Sequence, residues 1–446
     1  MKETTRRNFL KASGAATGAA LLGVGSVQGG GSEGGDGEST GDGNALTDTD
    51  ADLVGTWTAS PLPPAEEGRS AEGFDDETVR MVLRTSVGGS SPRVRLANTF
   101  GEDTLTVGHV EIGVQDEGAT VVPGTSRSVS FGNLDSILVP AGAKVYSEPV
   151  DLEVDAEQNL VVSIYLPEAT GPATYHELAR HTTYIADSNR AEDASAEGFD
   201  TEVTDWFYLE GIDVVSPETN GAIVTLGNSI TDGFNSTLDA DNTYPDELAE
   251  RINDSSSVQK SVLNAGISGN RVLSDIAGPN ALARLDRDVI TQTGVTDVVL
   301  LEGINDIGFN MIEGESYEAV TADEIIYGLK QIIARVHAKG LNIYGATLTP
   351  FKGADYYYEE GEEKRQAVNE WIRTSDAFDG VFDFDEALED PDNSLQLLPE
   401  YDSGDSLHPS DAGYHEMAET VDLSEFDNEG EEDESASGVL PSPLAI

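Results

Sequence analysis

Acyl transfer through a covalent intermediate needs a nucleophile, a base that takes its proton, and an acid that fixes the base. Ser229 closes an apolar run in Ala222-Ile223-Val224-Thr225-Leu226-Gly227-Asn228-Ser229-Ile230-Thr231-Asp232-Gly233. Much later in the chain, Asp405-Ser406-Leu407-His408-Pro409 supplies an acid and a histidine. His408 is placed to accept the serine proton and return it to a leaving alkoxide. Asp405, three residues earlier, can meet the ring within one turn and hold its tautomer. A tetrahedral intermediate also needs donors for its oxyanion, and the backbone N–H of Ser229 is a first candidate. Between these segments lie Gly266-Ile267-Ser268-Gly269-Asn270 and Gly303-Ile304-Asn305-Asp306, each just after another apolar run. The pattern predicts a serine esterase.

At these residues the chain resembles the SGNH, or GDSL, hydrolases, named for Ser, Gly, Asn and His in four separated blocks. All four blocks occur, in order. The resemblance implies that Ser229 is the nucleophile, that Gly269 and Asn305 complete the oxyanion donors, and that Asp405 and His408 are the acid and base. The chain departs from the pattern once, where Asn228 replaces the Asp that usually precedes the serine. Asparagine has the same shape and still hydrogen-bonds but carries no charge, so the change bears on local electrostatics more than on the nucleophile.

Each residue also has a plainer reading. A serine after a strand often caps or turns the chain, and a glycine can be a turn residue as well as a point of close approach. Asn305 in a chance loop would be unremarked, but it follows Val298-Val299-Leu300-Leu301 and stands between Gly303 and Asp306, which is specific to the family. The tetrapeptide Gly404-Asp405-Ser406-Leu407 spells the family's name, yet no apolar strand leads into it. A nucleophile at Ser406, two residues from His408, would leave Ser229, Gly269 and Asn305 without roles. Five other histidines compete: His109, His176, His181, His337 and His415. His337 falls late in an expected helix and His415 on the next one, while His176 and His181 belong to a β-rich region that reaches a cleft only by docking.

The 446 residues suggest two domains plus tails. Hydrophobic residues make up 38%, enough for real cores. Against 83 acidic residues stand 25 basic ones, a formal charge of −58 spread along the chain. Such self-repulsion opposes compaction in dilute buffer, whereas molar salt shortens the Debye length to about 3 Å. A halophilic source is expected, and nucleic acid is excluded as a partner for such a polyanion. There is no cysteine, which removes disulfides, thiol nucleophiles and Cys-ligated metal. Acidic pairs are everywhere, so spacing singles out no metal site, and no cofactor is expected.

Thr5-Arg6-Arg7-Asn8-Phe9-Leu10-Lys11 precedes an Ala/Gly/Leu-rich stretch. This reads as a twin-arginine signal over residues 1–28, with an apolar stretch too short for a stable span. Residues 29–52 are a Gly/Ser/Asp-rich linker and 424–446 an acidic tail, both expected to be disordered. Residues 53–216 show period-two runs at 78–87, 93–100, 109–115, 126–131, 144–150, 159–166 and 206–215, split by Gly, Pro and Asp clusters, which predicts a β-sandwich. From 217 to 423 the pattern becomes strand, loop, helix. Runs at 222–226, 261–263, 298–301, 343–346 and 381–384 predict five parallel strands of a flavodoxin-like, three-layer α/β domain. One helix starts at the capping box Thr321-x-x-Glu324, with Ile325, Ile326, Leu329, Ile332, Ile333 and Val336 on one stripe, and stops at Gly340. A second spans 362–375. In such a fold sites gather at the carboxyl ends of the strands, where the Ser229, Gly269 and Asn305 segments fall.

The β-rich region also resembles the amino-terminal sandwich of a secreted SGNH subgroup, at Thr78 to Gly89, Arg93 to Gly101 and Trp206 to Val214. That subgroup is similar to arylesterases and acylhydrolases associated with plant polysaccharide breakdown. The resemblance implies short acyl esters, acetyl above all, on a small-molecule or polysaccharide substrate, without stable membrane insertion. A lipase or lysophospholipase shares the same blocks, and a polysaccharide-binding surface protein that has lost catalysis is the non-enzymatic alternative.

Overall fold

The run Ala222–Gly227 is buried at every position because it is the second strand of a five-stranded parallel sheet. The strand order is Ser261–Gly266, Ala222–Gly227, Val295–Leu301, Asn342–Ala346 and Gly380–Phe382. Apolar runs without polar alternation are what a sheet covered on both faces requires. The computed structural model describes residues 52–427 except 256, 312–316 and 318; the expected signal, nearly all of the expected linker and the tail beyond 427 lie outside the described residues. Helices Tyr244–Asp254 and Asp411–Thr420 pack together, as do Ala322–His337 and Glu359–Thr374, giving a three-layer α/β arrangement.

The helix Ala322–His337 starts where its capping box predicts, with Thr321 Oγ1 accepting the Glu324 N–H and Glu324 accepting the Thr321 N–H. Its stripe buries Ile325, Leu329, Ile332, Ile333 and Val336, while Ile326 is only half-buried. Burying each such side chain is worth roughly 1.5–3 kcal/mol. The second helix begins at Glu359, earlier than the 362 expected. The helix Tyr244–Asp254 was not expected. Its capping box uses Thr243 with Asp246, the shorter acid, and a proline in the first turn.

The β-rich region forms two large antiparallel sheets and two two-stranded ones, Tyr175–His176 with Trp206–Phe207 and Leu105–Val107 with Ile137–Val139. One large sheet runs Leu53–Thr58, Leu209–Val215, Gly89–Ala97, Lys144–Tyr146, with Glu153–Val154 also on Gly89–Ala97. The other runs Thr201–Val203, Thr183–Ala186, Glu77–Arg84, Asn159–Leu166, His109–Val114, Arg127–Ser128. Several expected strands shorten, and the run at 206–215 divides. Tyr208 has φ +58°, a left-handed conformation that ends a strand. Trp206–Phe207 therefore pairs with Tyr175–His176, and Leu209–Val215 crosses to the other sheet.

The expected boundary near residue 216 is a change of architecture inside one compact unit. Leu53–Thr58 packs on Ser261–Gly266, Gly55 N–H donates to Thr293 O at 3.0 Å, Val262 N–H to Ser86 Oγ at 3.2 Å and Arg95 Nη2 to Gln292 Oε1 at 2.8 Å. A single hydrophobic cluster runs through both architectures. The acidic tail was expected from 424, but the chain stays folded through the 3-10 helix Leu423–Phe426. Phe426 is buried and meets Tyr344 edge-on at 5.0 Å; one aromatic in an acidic segment suffices to dock it.

Candidate active site

Ser229 is the first residue of the single-turn helix Ser229–Asp232, reached directly from the strand Ala222–Gly227. Asn228 caps that turn, its Oδ1 accepting the Ile230 N–H at 3.1 Å. The turn can approach the neighbouring strand end because Gly266 has no side chain: a Cβ there would lie 2.3 Å from Asp232 N. His408 Nε2 is 2.8 Å from Ser229 Oγ, and His408 Nδ1 is 2.7 Å from Asp405 Oδ2. The sequence-predicted serine, histidine and aspartate thus meet in one relay. Phe234 lies against the imidazole, ring centroids 4.3 Å apart.

Asp405 makes further bonds. Its Oδ1 accepts the N–H groups of Leu407 and His408 at 3.0 and 2.8 Å, and its Oδ2 accepts Asn235 Nδ2 at 3.1 Å. Burial alone would raise its pKa, but the His408 side chain and these backbone donors outweigh burial and hold the carboxyl at about 2. It is therefore ionised throughout the range in which an enzyme works.

The other two predicted residues converge on the same place. Gly269 has φ +75°, and its N–H has no acceptor among the described residues. The first N–H of a helix, here that of Ser229, has no acceptor within its own helix. Asn305 is buried; its Nδ2 donates to Asn270 O at 3.0 Å, leaving a second N–H, and its Oδ1 accepts the Tyr356 hydroxyl at 3.2 Å. Tyr356, which the sequence did not single out, thereby fixes which end of the Asn305 amide is the donor. Loss of one oxyanion donor costs on the order of 10² to 10³ in turnover. Asn305→Ala should therefore lower kcat by that factor with KM nearly unchanged in ester hydrolysis; a change confined to KM would make Asn305 a substrate-binding residue.

Arg284 was also missed. Fully buried, it donates to Gly227 O at 2.8 Å, Ala265 O at 2.7 Å and Asn270 Oδ1 at 2.9 Å, tying together the ends of two strands and the loop that carries Gly269. Its neighbour Glu302, 3.6 Å away, has its carboxyl pushed up to about 8 by burial, against the pull of Arg284. At neutral pH Glu302 is thus largely protonated, and Asn228, where the family usually has Asp, avoids a second carboxylate beside it. Burial likewise raises Asp306 to about 6, although it accepts the N–H groups of Val272 and Leu273.

The rival residues are engaged elsewhere. His337 pairs with Asp379, His415 with Glu247 and His181 with Asp241, each at 2.8 Å. Spacing gave no metal constellation, but folding brings atoms of His109, Glu111 and Glu192 within 4.8 Å of one another in the sandwich. His109 Nε2 is already bonded to Glu111 at 2.9 Å, and the other Glu111 oxygen to Ser126.

The three-layer α/β unit thus carries this relay at the carboxyl ends of its strands. Residues 225–416 match the GDSL-like lipase/acylhydrolase family, and this domain is a hydrolase acting on esters. Residues 3–23 match the twin-arginine translocation signal, so the chain is exported by that pathway. Among the described residues no helix is long and apolar enough to cross a membrane. Similar solved structures include a GDSL-like lipase from Bacteroides thetaiotaomicron, 19% identical over 46% of this chain and 88% of that one, TM-score 0.35. A catalytic mutant of an acetylxylan esterase from Geobacillus stearothermophilus is 21% identical over 47% and 94%, TM-score 0.36. The aryl esterase of M. smegmatis is 15% identical over 44% and 94%, TM-score 0.36. At these scores the likenesses carry no argument about substrate. No curated protein matches the chain.

Proposed function

We propose that the protein is an exported serine esterase that removes short acyl groups, acetyl in particular, from carbohydrate. The observation that carries the esterase reading is the continuous relay from Ser229 Oγ through His408 to Asp405, with contacts of 2.8 and 2.7 Å. Ser229 Oγ attacks the ester carbonyl as His408 Nε2 takes its proton. The N–H groups of Ser229 and Gly269 and the amide of Asn305 receive the oxyanion. Collapse expels the alkoxide, protonated by His408, and water then repeats the sequence on the acyl-enzyme. A non-catalytic binding protein would have no use for this geometry.

The preference for short acyl groups rests on crowding beside the oxyanion loop. A Cβ on Gly269 would lie 2.8 Å from Ala277 and 3.4 Å from the Phe309 ring, and one on Gly308 would lie 2.4 Å from the Tyr356 ring. The second reading, a longer acyl chain, draws on exposed Ile276, which follows the Gly269 loop, and exposed Met311, which follows Phe309. Initial rates on p-nitrophenyl esters from acetate to palmitate decide between them, measured in molar salt to screen the net charge of −58. kcat/KM should be greatest at acetate to butyrate and fall at least tenfold by eight carbons, with acetate released from acetylated xylan. A maximum at long chains would replace this reading by the lipase one.

A further inference from the structure

His176 reaches the hydrolase site from the sandwich. It lies in the short strand Tyr175–His176, buried, with its ring stacked on Trp206 at 5.6 Å. Its Nδ1 is 2.8 Å from the carbonyl oxygen of Ser60 and its Nε2 3.1 Å from Asp232 Oδ1. The Ser60 carbonyl can only accept, so Nδ1 carries a proton, and with Asp232 as a carboxylate Nε2 carries one too, which makes the ring an imidazolium. Burial opposes that charge, but Asp232, Ser60 O and Asp205 together raise the pKa of His176 nonetheless. Arg84, Arg180, His181 and Asp241 line the same cavity of about 60 Å³.

Asp232 is the last residue of the turn that begins at Ser229. Its second oxygen accepts the N–H of Ser268 at 2.8 Å, and the next residue is Gly269. One carboxylate thus joins the nucleophile's turn to the oxyanion loop, with the imidazolium behind it.

We propose that His176 is a positioning residue of the hydrolase: its buried ion pair with Asp232, supplied by the sandwich, holds the Ser268 and Gly269 backbone in register with Ser229. This rests on Ser229 being the nucleophile, and it gives the sandwich a part in catalysis. Removing the ring leaves buried Asp232 without its ion-pair partner, with only Arg180 of the same cavity to balance it from further off, so the loop shifts and the oxyanion loses a donor while substrate contacts persist.

The test uses the full chain in molar salt and two variants. In His176→Gln the amide can still donate to Asp232 but has no charge and cannot serve Ser60 as well; kcat should fall three- to tenfold with KM within twofold. In His176→Leu, which donates nothing, kcat should fall 10- to 100-fold. The rate of Ser229 phosphonylation by a p-nitrophenyl phosphonate should fall in step, because the phosphonyl oxygen occupies the same hole. Each folded variant should still titrate one serine per chain. Wild-type kcat and labelling rate in both variants, or in His176→Gln alone where His176→Leu does not fold, would overturn the proposal. So would a loss matched by fewer titratable serines, which marks damage to folding alone. If the phosphonate does not label Ser229 in the wild type, the esterase reading fails first; labelling there at equal rates in wild type and variants removes only the role of His176.

Discussion

Ser229→Ala is expected to abolish ester hydrolysis, since removing the nucleophile of a serine triad costs on the order of 10⁶ in turnover. Ser406→Ala, at the serine of the misleading Gly404-Asp405-Ser406-Leu407, should keep most of the activity. Ser406 has φ +61°, its N–H donates to Asp402 Oδ1 at 2.9 Å, and its hydroxyl faces Asp402 Oδ2 and Gly353. By contrast, the only group within hydrogen-bonding distance of His408 Nε2 among the described residues is Ser229 Oγ. A fluorophosphonate should therefore label Ser229 alone, as peptide mapping by mass spectrometry will show. Label on Ser406, or more than about one-hundredth of wild-type kcat left in Ser229→Ala, would refute the assignment; a residue of that size far exceeds what oxyanion stabilisation and binding supply on their own.

Ser229, Gly269, Asn305, Asp405 and His408 were legible because each stands in a short segment with a distinctive neighbour. For the first three that neighbour is an apolar strand, and a parallel sheet carries the ends of its strands to one edge. What local pattern cannot show is a partner met through space. Tyr356 lies 51 residues from Asn305, His176 56 from Asp232, and Arg284 57 from the Gly227 carbonyl it holds. A histidine in a β-rich segment and an arginine on a short helix have no local mark that distinguishes these duties.

The fold was legible to the same degree. The buried parallel strands declare themselves by uninterrupted apolar residues, and the helix Ala322–His337 by its cap and stripe. Strands such as Leu53–Thr58 and Thr183–Ala186 carry Gly, Thr and Tyr in short runs. They are specified by the neighbours they pair with, so period two alone does not find them. The division at Tyr208 turns on one left-handed residue within an otherwise continuous strand pattern. The same strand Leu53–Thr58 that sequence missed is the one that packs the sandwich on the parallel sheet, so the two architectures expected on either side of residue 216 meet along it.

Asp405→Asn is expected to lower kcat by about 10⁴ without unfolding the loop, and the bonds around Asp405 say why. Its Oδ1 accepts two backbone N–H groups, from Leu407 and His408. Only an oxygen can take that place, so the amide nitrogen of the variant must occupy the position of Oδ2 and point at His408 Nδ1. The ring must then accept at Nδ1 and carry its proton on Nε2, facing Ser229 Oγ, where it can no longer take the serine proton. Alanine would be a poorer test, because it would also strip both N–H groups of their acceptor. In the wild type the carboxyl, held at about 2 against an ordinary 3.8, favours the charged form. Its support for the folded loop is complete above the ordinary value and is lost only as the pH falls through about 2. Loss of activity on mild acidification therefore cannot arise from this carboxyl. Steady-state rates on a short p-nitrophenyl ester, with circular dichroism to show that the variant is folded, give the answer. A folded Asp405→Asn within tenfold of wild type would mean that the imidazole is oriented by other contacts, such as the Phe234 ring, and that Ser229 and His408 act as a pair.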